Sequence, residues 1–188
     1  MNAKQLVFII AVSLSIPAFI ASESQAQGYT QRDGAIQVGG GLGFAASIAD
    51  DEAFAFGFDF NYYFTHNLSL AVRLGVAVDG DFALIPIMVD GLWHFDIPSL
   101  KKLVPFAGLG LGVSILDIDD FDTAAAFTIE VPIGAEYYIT RQFALGTEMF
   151  FMFPVHNYDF GDGPFGGGIE LEDHFHFQWH IITARYTF

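Results

Sequence analysis

Residues 54–64 read Phe-Ala-Phe-Gly-Phe-Asp-Phe-Asn-Tyr-Tyr-Phe, and this stretch decides the fold class. An extended strand points alternate side chains to opposite faces. Every even-numbered residue here is a Phe or a Tyr, whereas the odd-numbered residues are Ala55, Gly57, Asp59, Asn61 and Tyr63. The stretch is therefore predicted to be a strand with one bulky aromatic face and one face that is small or polar.

The same alternation recurs in seven further segments, which gives eight predicted strands. The third runs from Leu68 to Val78, the fifth from Val104 to Ile115, and the last ends at Phe188. Two strands depart from the pattern. Pro86 in the fourth has no N–H for the ladder, which predicts a bulge or an early strand start. The apolar parity of the eighth changes near His180, which predicts a bulge or a strand whose outer part leaves the membrane.

The bulky face is predicted to contact lipid. In a soluble sandwich or barrel, exposed rows of Phe and Leu would promote aggregation. Turning the pattern inside out would instead place Arg73 in lipid, at a cost of ~2–4 kcal/mol. Unpaired strand edges are also too costly in hydrocarbon, so the sheet must close. The predicted fold class is all-β, an eight-stranded antiparallel transmembrane β-barrel.

The first 26 residues predict a signal peptide, which leaves residues 27–188 as the barrel. Lys4 precedes an apolar run from Leu6 to Ile20, and small residues follow up to Ala26. A retained N-terminal anchor is the alternative. The chain has no Cys and carries 7 basic against 22 acidic residues, a formal net charge of −15. This composition excludes disulfides and argues against a nucleic-acid partner.

Three short motifs carry a family resemblance. Residues 105–112 read Pro-Phe-Ala-Gly-Leu-Gly-Leu-Gly, Glu-Tyr-Tyr occupies 136–138, and the chain ends Tyr-Thr-Phe. Together with the exported start, they resemble the small eight-stranded outer-membrane barrels, which include outer-membrane proteins A, W and X. The resemblance implies location in the cell outer membrane and no cofactor. It also implies contact with outer-membrane lipid and lipopolysaccharide, and that Tyr186 and Phe188 are the signal read by the barrel-insertion machinery.

Charged residues of the inward parity form the main candidate site. An eight-stranded barrel leaves an interior just wide enough for side chains to fill. We therefore expect these charges to pair as a polar plug, because a buried arginine needs a carboxylate partner. The alternative is a narrow cation path or a proton-linked gate. The residues are Asp59, Arg73, Asp90, Glu130, Glu136, Glu148 and Arg185.

Metal binding and catalysis are weaker hypotheses. His174, His176 and His180 share a strand parity and could converge on Zn²⁺ or Cu²⁺. Because aromatic residues alternate with them, an interfacial aromatic girdle fits equally well, and we expect no metal. Some barrels that resemble this one modify lipid A with Ser, His and an acid. Here no Ser–His spacing predicts a nucleophile in contact with a base, so we expect no enzyme.

A structural or surface-interaction role is the leading functional hypothesis. Its carrier would be the long Gly-rich and acidic loop predicted from Val155 to Asp173. The alternative, implied by the resemblance to W-type barrels, is a narrow channel for small apolar molecules or ions. Inward-facing Leu92, Phe150 and Met152 are compatible with an apolar pocket.

Overall fold

The computed structural model describes residues 32–46, 52–80, 82–118, 123–155, 158–162, 168–171 and 175–188. The predicted signal peptide lies outside these residues. Within them, no helix is long and apolar enough to cross a membrane. The described residues form ten strands: β1 Ile36–Ala46, β2 Glu52–Tyr63, β3 Leu68–Asp79, β4 Phe82–His94, β5 Leu103–Ile118, β6 Ala124–Tyr138, β7 Phe143–Pro154, β8 Tyr158–Asp162, β9 Gly168–Leu171 and β10 His176–Thr187.

Eight of these strands close into one antiparallel barrel. Their order around the barrel is β1-β10-β7-β6-β5-β4-β3-β2, so that neighbours in space are neighbours among the barrel strands and β10 closes against β1. The remaining two, β8 and β9, form a separate hairpin within the long loop predicted after β7. The predicted fold class is thus confirmed, with an additional hairpin outside the barrel.

The bulky face lies on the outside of the barrel, as predicted. Val72 and Leu109 are 47% and 60% exposed, whereas Arg73, the next residue along β3, is 2% exposed. Phe56 faces outward but is only 9% exposed. Its ring lies 6.4 Å from the ring of Phe54 and 6.4 Å from that of Phe58, so neighbouring aromatic side chains cover it.

Pro86 lies in a regular part of β4, and the predicted bulge at this residue is wrong. β4 begins at Phe82, and Pro86 pairs with Ser114 of β5 without a shift of register. Backbone pairing with β3 is interrupted around Pro86 and continues beyond it in the same register. The strand therefore tolerates the missing N–H as a local gap in one ladder, and it needs no extra residue.

The change of parity in β10 is a β-bulge, the first of the two alternatives predicted. Leu42 of β1 pairs with Ile182, but the next residue, Gly43, pairs with His180. The same one-residue shift occurs on the β7 side. Ile181 and Ile182 consequently both face outward. The inward-facing residues of β10 are even-numbered up to His180 and odd-numbered after the bulge.

A hydroxyl group on the neighbouring strand holds this bulge. Thr147 of β7 lies opposite the extra residue. Its Oγ1 donates a hydrogen bond of 3.0 Å to the backbone carbonyl of His180 and accepts one of 2.8 Å from the indole Nε1 of Trp179. The carbonyl that the bulge removes from the ladder therefore has a donor, as a backbone group in an apolar environment requires.

Replacing Thr147 with valine is expected to lower the free energy of unfolding by about 1–2 kcal/mol, because the carbonyl of His180 and the indole N–H each lose a partner. Thr147→Ser is the matched control, since it keeps the hydroxyl. Urea unfolding in lipid vesicles measures both variants. Equal stability of the valine and serine variants would show that this hydroxyl does not hold the bulge.

Candidate functional site: the barrel interior

The glycines of β5 create the space in which the inward side chains of β4 lie. A Cβ atom added to any of three alternate glycines would collide with the side chain of the residue paired with it on β4. The Gly-x-Gly-x-Gly pattern of β5 therefore lets the β4 side chains lie across β5 toward β6. The pairs are Gly108 with Leu92, Gly110 with Asp90, and Gly112 with Met88.

Arg185 of β10 joins three strands across the interior. Its Nη1 donates to Glu136 Oε1 of β6 at 3.1 Å, and its Nη2 donates to Glu148 Oε2 of β7 at 2.6 Å. Its Nε and Nη2 bind both oxygens of Asp59 of β2, at 3.0 and 3.3 Å. The bulge places Arg185 on the inner face, and Gly39 leaves room for its side chain. Such a fully buried fork of hydrogen bonds fixes strands on opposite sides of the barrel.

Arg73 of β3 forms a second layer. Its Nη2 donates to Glu130 Oε2, and its Nε lies 4.0 Å from Asp90 Oδ2. The guanidinium carbon lies 3.8 Å from the centroid of the Phe150 ring, which is a close cation–π contact. The predicted charged residues therefore divide into two groups, with three carboxylates on Arg185 and two on Arg73.

A polar floor closes the end of the barrel at which β1 begins and β10 ends. Gln37 of β1 is its centre: the side-chain amide donates to Tyr138 Oη of β6 at 3.2 Å and accepts from Tyr63 Oη of β2 at 3.2 Å. The Tyr138 hydroxyl also donates to Glu136 Oε2 at 2.8 Å, which links the floor to the Arg185 layer. The alternating pattern of β1 predicts that Gln37 faces inward. Its hydrogen-bond partners depend on the register of the barrel strands and could not be predicted.

Arg32, just before β1, covers this floor and was not predicted. Its guanidinium carbon lies 5.3 Å from the Tyr63 ring centroid and 5.2 Å from that of Tyr138. Burial lowers the pKa of Arg32, but Tyr138, Tyr63 and Glu136 raise it by more, so the pKa is raised above its usual value and the group stays charged. Arg32 lies outside every predicted strand, so its burial could not be inferred from an alternating pattern.

The opposite half of the interior contains a cluster of apolar side chains. It consists of alanines from four strands together with larger side chains, and all of them are buried. The cluster is interleaved with buried polar side chains: Ser114 and Thr128 lie next to its members on β5 and β6, and His176 and Gln178 of β10 pair with Met152 and Phe150. Its members are Ala45, Ala53, Ala55, Ala77, Leu84, Leu116, Ala124, Ala126, Phe150 and Met152, with Phe82 packed against them.

A serine and a histidine do contact each other, contrary to the prediction. Ser69 Oγ of β3 lies 2.9 Å from His94 Nε2 of β4, because the register places the two strands side by side. His94 packs between the rings of Tyr63 and Phe106, and no described side chain hydrogen-bonds its Nδ1. Both residues are buried. The pair thus lacks the acid and the access that nucleophilic catalysis requires.

The predicted histidine group is only partly described. His176 and His180 are buried on the inner face of β10, while His174 lies outside the described residues. His180 Nε2 lies 2.9 Å from Gln178 Nε2, and its ring packs against Phe150. Among the described residues, no three His, Cys, Asp or Glu side chains gather as metal ligands do.

At the C-terminus, the rings of Tyr186 and Phe188 lie 4.9 Å apart, and Phe188 is 71% exposed. The Phe188 N–H donates to the Ile36 carbonyl at 2.7 Å, so the last residue is still tied to the start of β1. Recognition of these residues by the insertion machinery stays a prediction.

Several solved structures share this architecture. Neisserial surface protein A (NspA) is 15% identical, with a TM-score of 0.62, over 82% of this chain and 96% of that one. The outer membrane protein OprG from Pseudomonas aeruginosa is 14% identical, with a TM-score of 0.58, over 86% and 99%. Ail, the attachment invasion locus protein of Yersinia pestis, in complex with the heparin analogue sucrose octasulfate, is 11% identical, with a TM-score of 0.50, over 83% and 99%. At these identities the likeness shows the fold alone.

No curated protein matches the sequence significantly. Residues 11–151 match the family described as "Outer membrane protein beta-barrel domain", which covers most of the chain. The closed barrel with its apolar exterior agrees with this match. The chain therefore belongs to the outer membrane protein beta-barrel domain family, and it is a protein of the outer membrane.

Proposed function

We propose that this protein is a closed, non-enzymatic barrel with a structural or surface-interaction role. The observation that carries the proposal is the Arg185 cluster, which ties β10 to β2, β6 and β7 through the middle of the interior. The polar floor lies on one side of it and the apolar cluster on the other. Together with the Arg73 layer, these layers of buried side chains leave little room for a solute to pass.

The outer end of the barrel supplies the surface for interaction. In barrels of this type the short turns lie in the periplasm and the longer loops lie outside. The longest connection here, between β7 and β10, contains the β8–β9 hairpin. Spanning the membrane does not require this hairpin, so it is the part of the chain best placed for contact with a ligand or another cell. NspA and Ail, a surface protein and an attachment protein by name, share the fold.

Planar-bilayer recording tests whether the barrel is closed. The purified, folded protein is expected to give no stable conductance steps at neutral pH, because the charged layers cross the lumen. Migration on a gel without boiling verifies that the sample is folded. Large and stable steps from folded protein would refute the closed barrel and favour a channel.

Adhesion tests the role of the long connection. Replacing residues 156–174 with a short Gly-Ser turn is expected to abolish adhesion to host cells or matrix while the barrel still folds. The matched control replaces the turn at residues 96–101, at the other end of the barrel. If neither variant changes adhesion, the role of the protein is structural.

Unchanged lipid A mass spectra on overexpression are expected for a non-enzymatic protein.

Passage of small apolar molecules is the second candidate, and the apolar cluster in the outer half of the interior favours it. This route would need the apolar cluster to open, whereas the Arg185 layer could stay closed. Replacing Leu84 with aspartate would then reduce uptake of an apolar fluorescent dye by cells that express the protein. The closed barrel predicts that dye uptake is the same with and without the protein.

A further inference from the structure

Asp90 and Glu130 flank the same glycine on the inner face of the barrel. The register pairs Gly110 of β5 with Asp90 of β4 on one side and with Glu130 of β6 on the other. A Cβ atom at Gly110 would lie 1.8 Å from Asp90 Oδ1, so the carboxyl group of Asp90 occupies the space above the glycine. Glu130 lies on the same inner face, so the two buried carboxyl-bearing residues flank Gly110.

One arginine serves both carboxyl groups. Arg73 donates to Glu130 Oε2, while its nearest approach to Asp90 is the 4.0 Å between Nε and Oδ2. Both acids are at most 2% exposed, and Asp90 Oδ1 and Glu130 Oε1 receive no hydrogen bond in the described structure. If both were ionised, one buried negative charge would stay unbalanced, and two carboxylates beside one arginine would repel each other.

We propose that Asp90 and Glu130 form a proton-binding site, in which the two carboxyl groups share one proton at neutral pH. One group donates its O–H to an oxygen of the other, and together with Arg73 they form a layer without net charge. Pairs of carboxyl groups that share a site hold a proton for this reason. The proposal does not depend on whether the barrel conducts.

Among the described residues, no second Lys or Arg is paired with either acid. Glu148 of β7 adds negative charge, and Arg185 of β10 is bound by three carboxylates of its own. Three further titratable side chains of the described part face this layer. Asp59 of β2 is paired with Arg73, His180 of β10 packs on Phe150, which Arg73 also contacts, and His176 is paired with Met152 beside Glu130. A shared proton is therefore the simplest way to balance the charge next to Arg73.

The site makes stability depend on pH in a defined direction. The folded chain holds a proton that the two separated carboxyl groups release in the unfolded chain at neutral pH. Because the folded state binds more protons, stability falls as the pH rises. In the pH range where the folded chain holds this proton and the unfolded chain does not, each rise of one pH unit increases the unfolding equilibrium constant about tenfold.

Infrared spectroscopy of the folded protein in vesicles tests the site directly. At neutral pH the wild type is expected to show the carbonyl stretch of a protonated carboxylic acid. Asp90→Asn and Glu130→Gln should each reduce this band, because the remaining carboxylate then pairs with Arg73. Asp33→Asn, the same substitution at an exposed position, is the matched control and should keep the band.

Urea unfolding from neutral pH to about pH 9 gives an independent readout. The pH dependence should be weaker in Glu130→Gln than in the wild type and the Asp33→Asn control. Absence of the acid band from folded wild type at neutral pH would overturn the proposal, even if neither variant folds. Retention of both the full band and the full pH dependence in a folded Glu130→Gln variant would overturn it as well.

Discussion

Replacing Arg185 with alanine is expected to lower the free energy of unfolding by about 3–5 kcal/mol, the range for breaking a buried ion pair by removing one partner. The variant leaves Asp59, Glu136 and Glu148 in the interior without their common cation. It also removes the side-chain contacts of β10 with β2, β6 and β7, although the backbone pairing of β10 with β7 remains. Urea unfolding in vesicles and heat-modifiable migration on a gel would both report the loss.

Arg141→Ala is the matched control for this experiment, because it removes the same charge from an exposed turn. It should stay within about 0.5 kcal/mol of the wild type, as surface substitutions usually do. A further variant, Arg185→Lys, keeps the charge but cannot form the same fork. If Arg185→Ala is as stable as Arg141→Ala, the Arg185 cluster does not hold the barrel together.

Replacing Gly43 with alanine is expected to destabilise the barrel by about 3 kcal/mol or more, at the upper end of the cost of overpacking. The bulge brings the β10 backbone close to Gly43, where an added Cβ would lie 1.7 Å from the Trp179 carbonyl oxygen. Because the obstacle is backbone, no side chain can rotate away. The substitution should therefore displace the bulge or open the junction of β1 with β10.

Gly91→Ala provides the matched control for Gly43→Ala, since Gly91 is also a strand glycine. A Cβ at Gly91 would meet nothing nearer than the Leu109 carbonyl oxygen at 3.9 Å. Its stability should match that of the wild type, as measured by urea unfolding in vesicles. Equal stability of the two alanine variants would contradict the described geometry of the bulge.

The barrel could be predicted from the sequence because its two environments alternate along every strand. Hydrocarbon outside and a narrow interior require outward residues to be apolar and inward residues to be small or polar along a whole strand, as in residues 54–64. A slip of one residue would exchange the two faces. The same logic located the irregularity in β10. The alternating pattern could not distinguish a bulge from a strand whose outer part leaves the membrane. The bulge depends on contacts of the β10 backbone with Gly43 and Thr147, which lie on neighbouring strands.

The contacts within the interior could be predicted only in part. Parity placed the charged residues inside, but the stagger of the strands determines that Asp90 and Glu130 flank the same glycine whereas Asp59 contacts Arg185. The contact between Ser69 and His94 was missed for the same reason, since it follows from the pairing of β3 with β4.

Intrinsic fluorescence in vesicles of brominated lipid tests the central claim most directly, namely that the bulky face of the strands contacts hydrocarbon. The chain has two tryptophans, and both Trp93 and Trp179 lie on the outer face of the barrel. The folded protein should therefore be strongly quenched by bromine on the lipid chains and only weakly by an aqueous quencher such as iodide. Fluorescence that iodide quenches and brominated lipid leaves unchanged would contradict the account.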